Sequence, residues 1–520
     1  MHRGRMLARL EESSGRWDVI VIGGGATGVG IAVDAASRGY EVVLLEASDF
    51  GKGTSSRSTK LVHGGVRYLQ QGNLPLVMEA LKERGTLRRN APHLVRDLPF
   101  VVPNYKWWEA PFYGIGMRVY DVLAGRYGFG DSKNLTLEET VERIPTIETD
   151  GLRGGVVYHD GQFDDARLLI ALAATAAEQG AVLVNYAPVT GLLKEASGFV
   201  SGVTFRDEES GTSHELLGKV VVNATGVFAD RIRHMDDPDS RPILKPSQGV
   251  HVVLDRAYLP GDSAIMVPHT DDGRVLFAIP WLDRVVVGTT DTPVDEVALE
   301  PVPLPEEVDF LLDHARRYLA KDPTRADVRS VFAGLRPLVA AEDAGDTSEI
   351  SREHAIRISD SGLLTIAGGK WTTYRKMAED AVDMAQTLGD LGGRECVTRD
   401  LDIHGRHDHA ERFGTLASYG SEAQRVRAIL ESGGGLGDRV HPALPLRAGE
   451  VVWFAREEMA RTVDDVLARR SRSLLLDARA AAEAGPAVAR LLADELGRDA
   501  EWIEAQTVAF GRIAAGYMVE

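Results

Sequence analysis

The chain has 520 residues and a formal net charge of −18, with 44% apolar and 26% charged residues. That length gives room for two or three domains around a large core, and the balance excludes disordered and collagen-like classes. The excess of 77 acidic over 59 basic side chains offers no general attraction for nucleic acid or anionic lipid, so an anion site has to be local.

The N-terminus, "MHRGRMLARLEESSGRW", lacks the continuous apolar run of a secretory signal. No later stretch reaches the roughly 18 consecutive apolar residues of a spanning helix, so a membrane contact would have to be peripheral. The single cysteine, Cys396, cannot form an intramolecular disulfide. It favours a reducing, cytoplasmic compartment, and it leaves thiol catalysis and a metal site without support.

The first organised unit is "WDVIVIGGGATGVGIAVDAASRGYEVVLLEA", an apolar strand, a glycine turn, an Ala-rich helix and a second strand. Gly23, Gly25 and Gly28 satisfy G-x-G-x-x-G, the pattern that lets a tight turn bring backbone close to a pyrophosphate at a helix N-terminus. Glu46 closes the second strand, where an acid can accept hydrogen bonds from ribose hydroxyls. "TSSRSTKLVHGGVRYLQ" follows at 54–70 and sets Arg57, Lys60, His63 and Arg67 around a glycine pair. Such a stretch is either a solvated loop or an anion pocket.

Residues 75–150 begin helical and become aromatic and irregular; eight of the 34 aromatic residues fall within 105–129. With Lys106, Arg118 and Arg126 beside them, these rings suit an interfacial surface, and they suit an aromatic core equally well. A helix after Asp165 leads to strands, the last being "GKVVVNATGVFAD", which returns the chain to the nucleotide-binding sheet at Ala224, Thr225 and Gly226. Strands across 249–291 predict an antiparallel sheet that caps the cofactor. "LLTIAGGKWTTYRKMAEDAVDMAQ" is again strand, glycine turn and helix, with Gly368, Gly369 and Thr372 at the turn. Beyond 391 the Gly-rich "LESGGGLGD" and "HPALPL" read as linkers before amphipathic helices.

A nucleotide sheet assembled from the start, middle and end of a chain marks a flavin-binding fold. The sequence "IGGGATGVGIAVDAASRGYEVVLLEASDFGKGTSSRSTKLVHGGVRYL" resembles the N-terminal signature of the FAD-dependent glycerol-3-phosphate dehydrogenases, and "VNATG", "IPWLDRVVVGTTDT", "GLRPL", "SREH" and "GGKWTTYRK" follow in that family's order. The resemblance covers about 17–385. It implies an α/β fold: a Rossmann-like FAD domain of the glutathione-reductase and D-amino-acid-oxidase type, an antiparallel substrate cap and a helical C-terminal domain. The expected division is FAD-binding segments near 17–75, 150–235 and 330–391, a cap near 76–149 and 236–329, and a tail at 392–520.

The family contains quinone-linked dehydrogenases of the aerobic type and oxidases with an additional cap segment. The short distance from Thr290-Asp291 to Gly334-Leu335 favours the dehydrogenase form. The implied reaction passes a hydride from C2 of sn-glycerol 3-phosphate to N5 of FAD and then electrons to a quinone. A phosphate dianion calls for Arg and Lys, and the C2 hydroxyl for a base.

His63, Arg67, His251, Arg336 and Lys370 are therefore the candidate catalytic residues, with His63 the first base and His251 the second. Arg67, Tyr68, Arg336, Arg352 and Lys370 are the substrate-binding candidates. Ser55, Ser56 and Ser58 join Gly23, Gly25, Gly28, Glu46, Ala224, Thr225, Gly226, Gly368, Gly369 and Thr372 as cofactor contacts. A flavin-dependent amine or amino-acid oxidase and a non-catalytic FAD-binding protein are the alternatives. No nucleic-acid partner is expected, and peripheral contact at a cytoplasmic membrane face and a homodimer are open.

Overall fold

A computed structural model describes residues 1–12, 15–65, 73–268, 270, 274–340 and 354–519. Two sheets organise it. In the first, the strand Trp17–Ile22 pairs in parallel with Val42–Leu45 on one side and Ser213–Asn223 on the other. Val182–Val184 extends the sheet at one end, Leu364–Gly368 and His354–Ile358 at the other. Val19, Ile20 and Val21 are fully buried, as expected of a parallel strand covered on both faces. The helices Ala26–Ser37 and Tyr374–Leu388 pack on each other against this sheet, both contributing to its core.

The second sheet has ten strands and is almost wholly antiparallel. Its spine is Ser247–Asp255, Arg284–Gly288, Leu276–Trp281, Ala264–Val267, Val95–Asn104 and Gly154–Phe163. The strands predicted across 249–291 are all present. Two strands lie elsewhere than expected: Gly154–Phe163 and Ser330–Arg336, placed by sequence in the FAD-binding segments, both pair into this cap sheet. The two-residue strand Leu61–Val62 joins it as well, opposite Gly161–Gln162, and so carries the loop after the glycine motif from the first sheet to the second.

The aromatic stretch expected to be irregular is the helix Glu109–Ala124, and it divides its rings between two environments. Tyr113, Met117 and Tyr120 face the core, whereas Phe112, Ile115, Val119 and Val122 lie on the exposed side. The Gly-rich stretch read as a linker instead joins two tail helices, Ala423–Leu430 and Ala448–Glu457, and is pinned by backbone bonds such as Gly449 N–H to the Leu436 carbonyl. The tail shares one core with Val253, Trp281, Val286 and Phe332 of the cap sheet. Buried ion pairs fasten it further: Arg469 and Arg470 to Asp49, Arg167 to Glu458 and Lys52 to Asp464.

Candidate active site

A cavity of about 590 Å³ opens where the parallel strands of the first sheet end, the place such sheets bind ligands and a volume within the usual range for them. Gly23, Gly25, Glu46, Ser55, Ala224, Thr225, Gly226, Gly368 and Gly369 line it. Gly23 has φ of +108°, and a Cβ there would lie 2.7 Å from the Ala224 carbonyl oxygen, so only glycine fits the turn. The helix Ala26–Ser37 starts at the wall with no side-chain cap from Gly25, and its Ala26 N–H donates to Ser55 Oγ at 2.9 Å. Both Glu46 oxygens accept backbone bonds, from Gly24 N–H at 2.5 Å and Ser48 N–H at 2.8 Å, while burial raises its pKa. A glycine cradle, a helix N-terminus and an acid at the second strand's end together suit a dinucleotide with a pyrophosphate.

Two smaller cavities continue inward. One of about 230 Å³ shares Gly368, Gly369, Lys370 and Trp371 with the large cavity. Another of about 180 Å³ shares Thr59, Leu61, His63 and Arg336 with the second and is backed by Phe100, Tyr158, Met266 and Phe277 of the cap sheet. Nucleotide and cap sites are thus joined past Lys370, His63 and Arg336.

Arg336 ends the strand Ser330–Arg336 opposite Ser247. Its guanidinium pairs with Asp291 at 3.0 Å and donates to the Thr290 carbonyl at 2.9 Å and Thr289 Oγ1 at 3.2 Å. His251 lies in the neighbouring strand with 3% exposure, its ring stacked on Phe332 at 4.7 Å and Nε2 2.9 Å from Thr59 Oγ1. Its Nδ1 is buried without a hydrogen-bond partner among the described residues. Burial, then the Lys60 and Arg336 cations, drive its pKa well below the ordinary value, so the ring is neutral. His63 follows the short strand Leu61–Val62, and its backbone N–H donates to Thr372 Oγ1 at 3.2 Å.

Several expected contacts lie elsewhere. Gly28 lines none of the three cavities; it packs the helix on the strand, since a Cβ there would be 1.9 Å from the Gly23 carbonyl oxygen. Ser56 lines none of the three cavities, and its carbonyl accepts from Lys60 and Arg472. Ser58 lines the second cavity, but its hydroxyl donates to Asp165 at 2.7 Å. Lys60 is no part of an anion pocket: it is fully buried against Asp165 at 2.7 Å. Arg57 pairs with Glu300 at 2.6 Å. Arg67, Tyr68 and Arg352 lie outside the described residues.

Sequence reasoning passed over Asp291, Thr59 and Trp371. Asp291 stands in the quoted "GTTDT", yet only the pairing of strands turns it toward Arg336. Trp371, in "GGKWTTYR", donates from Nε1 to the Ser55 carbonyl at 2.8 Å and so ties the late glycine turn to the early loop.

The model of the FAD dependent oxidoreductase family matches residues 18–375, and that of the C-terminal domain of alpha-glycerophosphate oxidase matches 363–503. A mitochondrial glycerol-3-phosphate dehydrogenase of Mus musculus is 41% identical over 94% of this chain and 71% of its own. One of Arabidopsis thaliana is 43% identical over 92% and 82%. The crystal structure of a glycerol-3-phosphate dehydrogenase from Bacillus halodurans, complexed with FAD, superposes with a TM-score of 0.80 at 30% identity, covering 99% of this chain and 97% of that one.

Proposed function

The chain belongs to the FAD-dependent glycerol-3-phosphate dehydrogenase family, and from that premise we propose that it oxidises sn-glycerol 3-phosphate to dihydroxyacetone phosphate at the junction of its three cavities. The observation that carries this reading is the continuous path from a nucleotide cradle, past Lys370, to Arg336 and His63. Bound FAD supplies the acceptor for the hydride that leaves C2.

The chain's own residues do the rest. Lys370 and Arg336 supply cationic charge for a phosphate dianion, Arg336 with a fork that can engage two of its oxygens. His63, which faces both inner cavities, takes the proton of the C2 hydroxyl. Neutral His251 offers a second imidazole behind Thr59. Phe100, Tyr158, Met266 and Phe277 keep the cap side dry, which strengthens each of these electrostatic contacts.

The test is an anaerobic absorbance spectrum of the holoenzyme before and after sn-glycerol 3-phosphate. The visible absorbance band of the flavin is expected to bleach, and more slowly in His63→Asn. A band that persists in the wild-type protein would sink the substrate assignment and turn attention to amines and amino acids.

Electrons then pass to a quinone at a membrane surface that the protein meets peripherally. Among the described residues no helix is long and apolar enough to cross a membrane. The helix Glu109–Ala124 supports a peripheral contact: Phe112, Ile115, Val119 and Val122 recur on one exposed face, with Trp107 78% exposed just before it. Ile115→Ser/Val122→Ser is expected to lose cosedimentation with phospholipid vesicles while keeping flavin reduction. Sedimentation equal to wild type would remove this helix from the contact.

A further inference from the structure

The helical tail plays no part in the chemistry just described, yet one of its side chains reaches the loop that carries the site. Arg472 is 1% exposed. Its Nη2 donates to the Ser56 carbonyl at 2.8 Å and to Asp165 Oδ1 at 2.9 Å, and its Nη1 to the Ala468 carbonyl at 2.8 Å. The other Asp165 oxygen accepts from Lys60 Nζ at 2.7 Å and Ser58 Oγ at 2.7 Å, and Lys60 Nζ also donates to the Ser56 carbonyl at 2.9 Å. Ser56, Ser58 and Lys60 are therefore all held from one buried point. Between them lies Thr59, whose hydroxyl meets His251 Nε2 and which lines both inner cavities.

Backbone conformation points the same way. Lys60 and Arg472 have φ of +64° and +61°, a region that side chains other than glycine occupy at a cost and keep only when their surroundings enforce it. Both turn their cations onto the same carboxylate. A fold that needed only charge balance at Asp165 already has Lys60 for it. Lys60 already reaches both the Ser56 carbonyl and Asp165; what the second cation adds is span, because the planar guanidinium holds those two groups from Nη2 and the tail's own Ala468 carbonyl from Nη1.

We propose that Arg472 is a positioning residue, through which the helical tail fixes the Ser56–Lys60 loop and so sets Thr59 and the His251 ring for catalysis. This rests on the oxidation of sn-glycerol 3-phosphate proposed above. The tail is then a working part of the active site, although none of its residues lines the three cavities.

The test uses full-length holoenzyme, mixed anaerobically with saturating sn-glycerol 3-phosphate, with rates taken per bound flavin. Arg472→Gln is expected to lower the limiting rate of flavin bleaching about tenfold or more, since misplacement by a fraction of an ångström is enough to do so. Arg472→Lys keeps the charge but loses the fork that spans loop and tail, and is expected to fall between Gln and wild type. Should Arg472→Gln fail to fold, Arg472→Lys and Thr59→Val complete the test as a double-mutant cycle. Coupling through Thr59 predicts that Arg472→Lys has no further effect once Thr59 is Val. A merely structural Arg472 predicts lost flavin content with a wild-type rate per flavin, or additive effects in the cycle, and either result overturns the proposal. Wild-type holoenzyme that the substrate leaves unbleached would overturn the substrate reading and this inference with it; bleached wild type beside equally fast variants overturns this inference alone.

Discussion

Gly28→Ala is expected to purify without FAD, read as loss of the flavin absorbance relative to protein. The added methyl would sit 1.9 Å from the Gly23 carbonyl oxygen and 3.4 Å from Ala224 Cβ. Neither neighbour can retreat: Gly23 already occupies a left-handed turn that closes on the Ala224 carbonyl, and the strands on both sides are buried in a parallel sheet. The helix Ala26–Ser37 has to move off the strand instead. Its first turn, which lines the cavity, then leaves the place where a pyrophosphate would meet it. Overpacking of this kind costs about 1–3 kcal/mol of stability, so the chain is expected to fold with a lowered Tm and a nearly empty cradle. A colour and flavin content equal to wild type would show that the cradle tolerates a wider helix–strand gap and would undo the reading of Gly28 as its spacer.

The nucleotide half of the molecule was legible because local physics dictates it. A β-branched strand, three glycines at fixed spacing, a helix and a terminal acid each carry their own reason, and Gly23, Gly25 and Glu46 meet on one cavity wall. Strand existence was equally readable in the cap. Strand partnership was not: Gly154–Phe163 and Ser330–Arg336 are apolar enough for either sheet, and periodicity says which face is buried without naming the neighbour. The aromatic stretch hid a helix because its rings serve both the core and the exposed face, which blurs the amphipathic pattern.

In the site, the cationic run at 54–70 is open to either a solvated loop or an anion pocket on sequence alone, because the fate of each cation depends on residues far away in sequence. Lys60 is claimed by Asp165 and Arg57 by Glu300, pairings that only the third dimension shows. Arg472 lies in "RRSRS", a run of five polar residues that looks like surface, yet it is 1% exposed. Long-range ion pairs leave no trace in composition or spacing, so a sequence shows that charges are present and the fold decides which ones face a ligand.

Arg336→Ala is expected to lower kcat/KM for sn-glycerol 3-phosphate sharply while FAD stays bound. Arg336 lines both inner cavities and is absent from the wall of the large one, so its loss leaves the nucleotide cradle intact. Asp291, its ion-pair partner, is 29% exposed on its side chain and can be rehydrated, which spares the fold. Truncating one member of a hydrogen-bonded charge pair with a bound phosphate costs about 2–5 kcal/mol, or roughly 30-fold to a few thousand-fold in kcat/KM. The larger share should appear in KM, because the phosphate is remote from C2. The pH profile supplies an independent sign. The Arg336 cation helps to depress the His251 pKa, behind burial and Lys60. Without it that pKa rises, so His251 takes up a proton at a higher pH on the way down, read from its ring proton resonances across a pH titration. Arg336→Lys keeps the charge but loses the fork, so it should restore the His251 titration and recover only part of the KM. Steady-state kinetics equal to wild type in Arg336→Ala would take this residue out of the phosphate site and leave Lys370 as its cation.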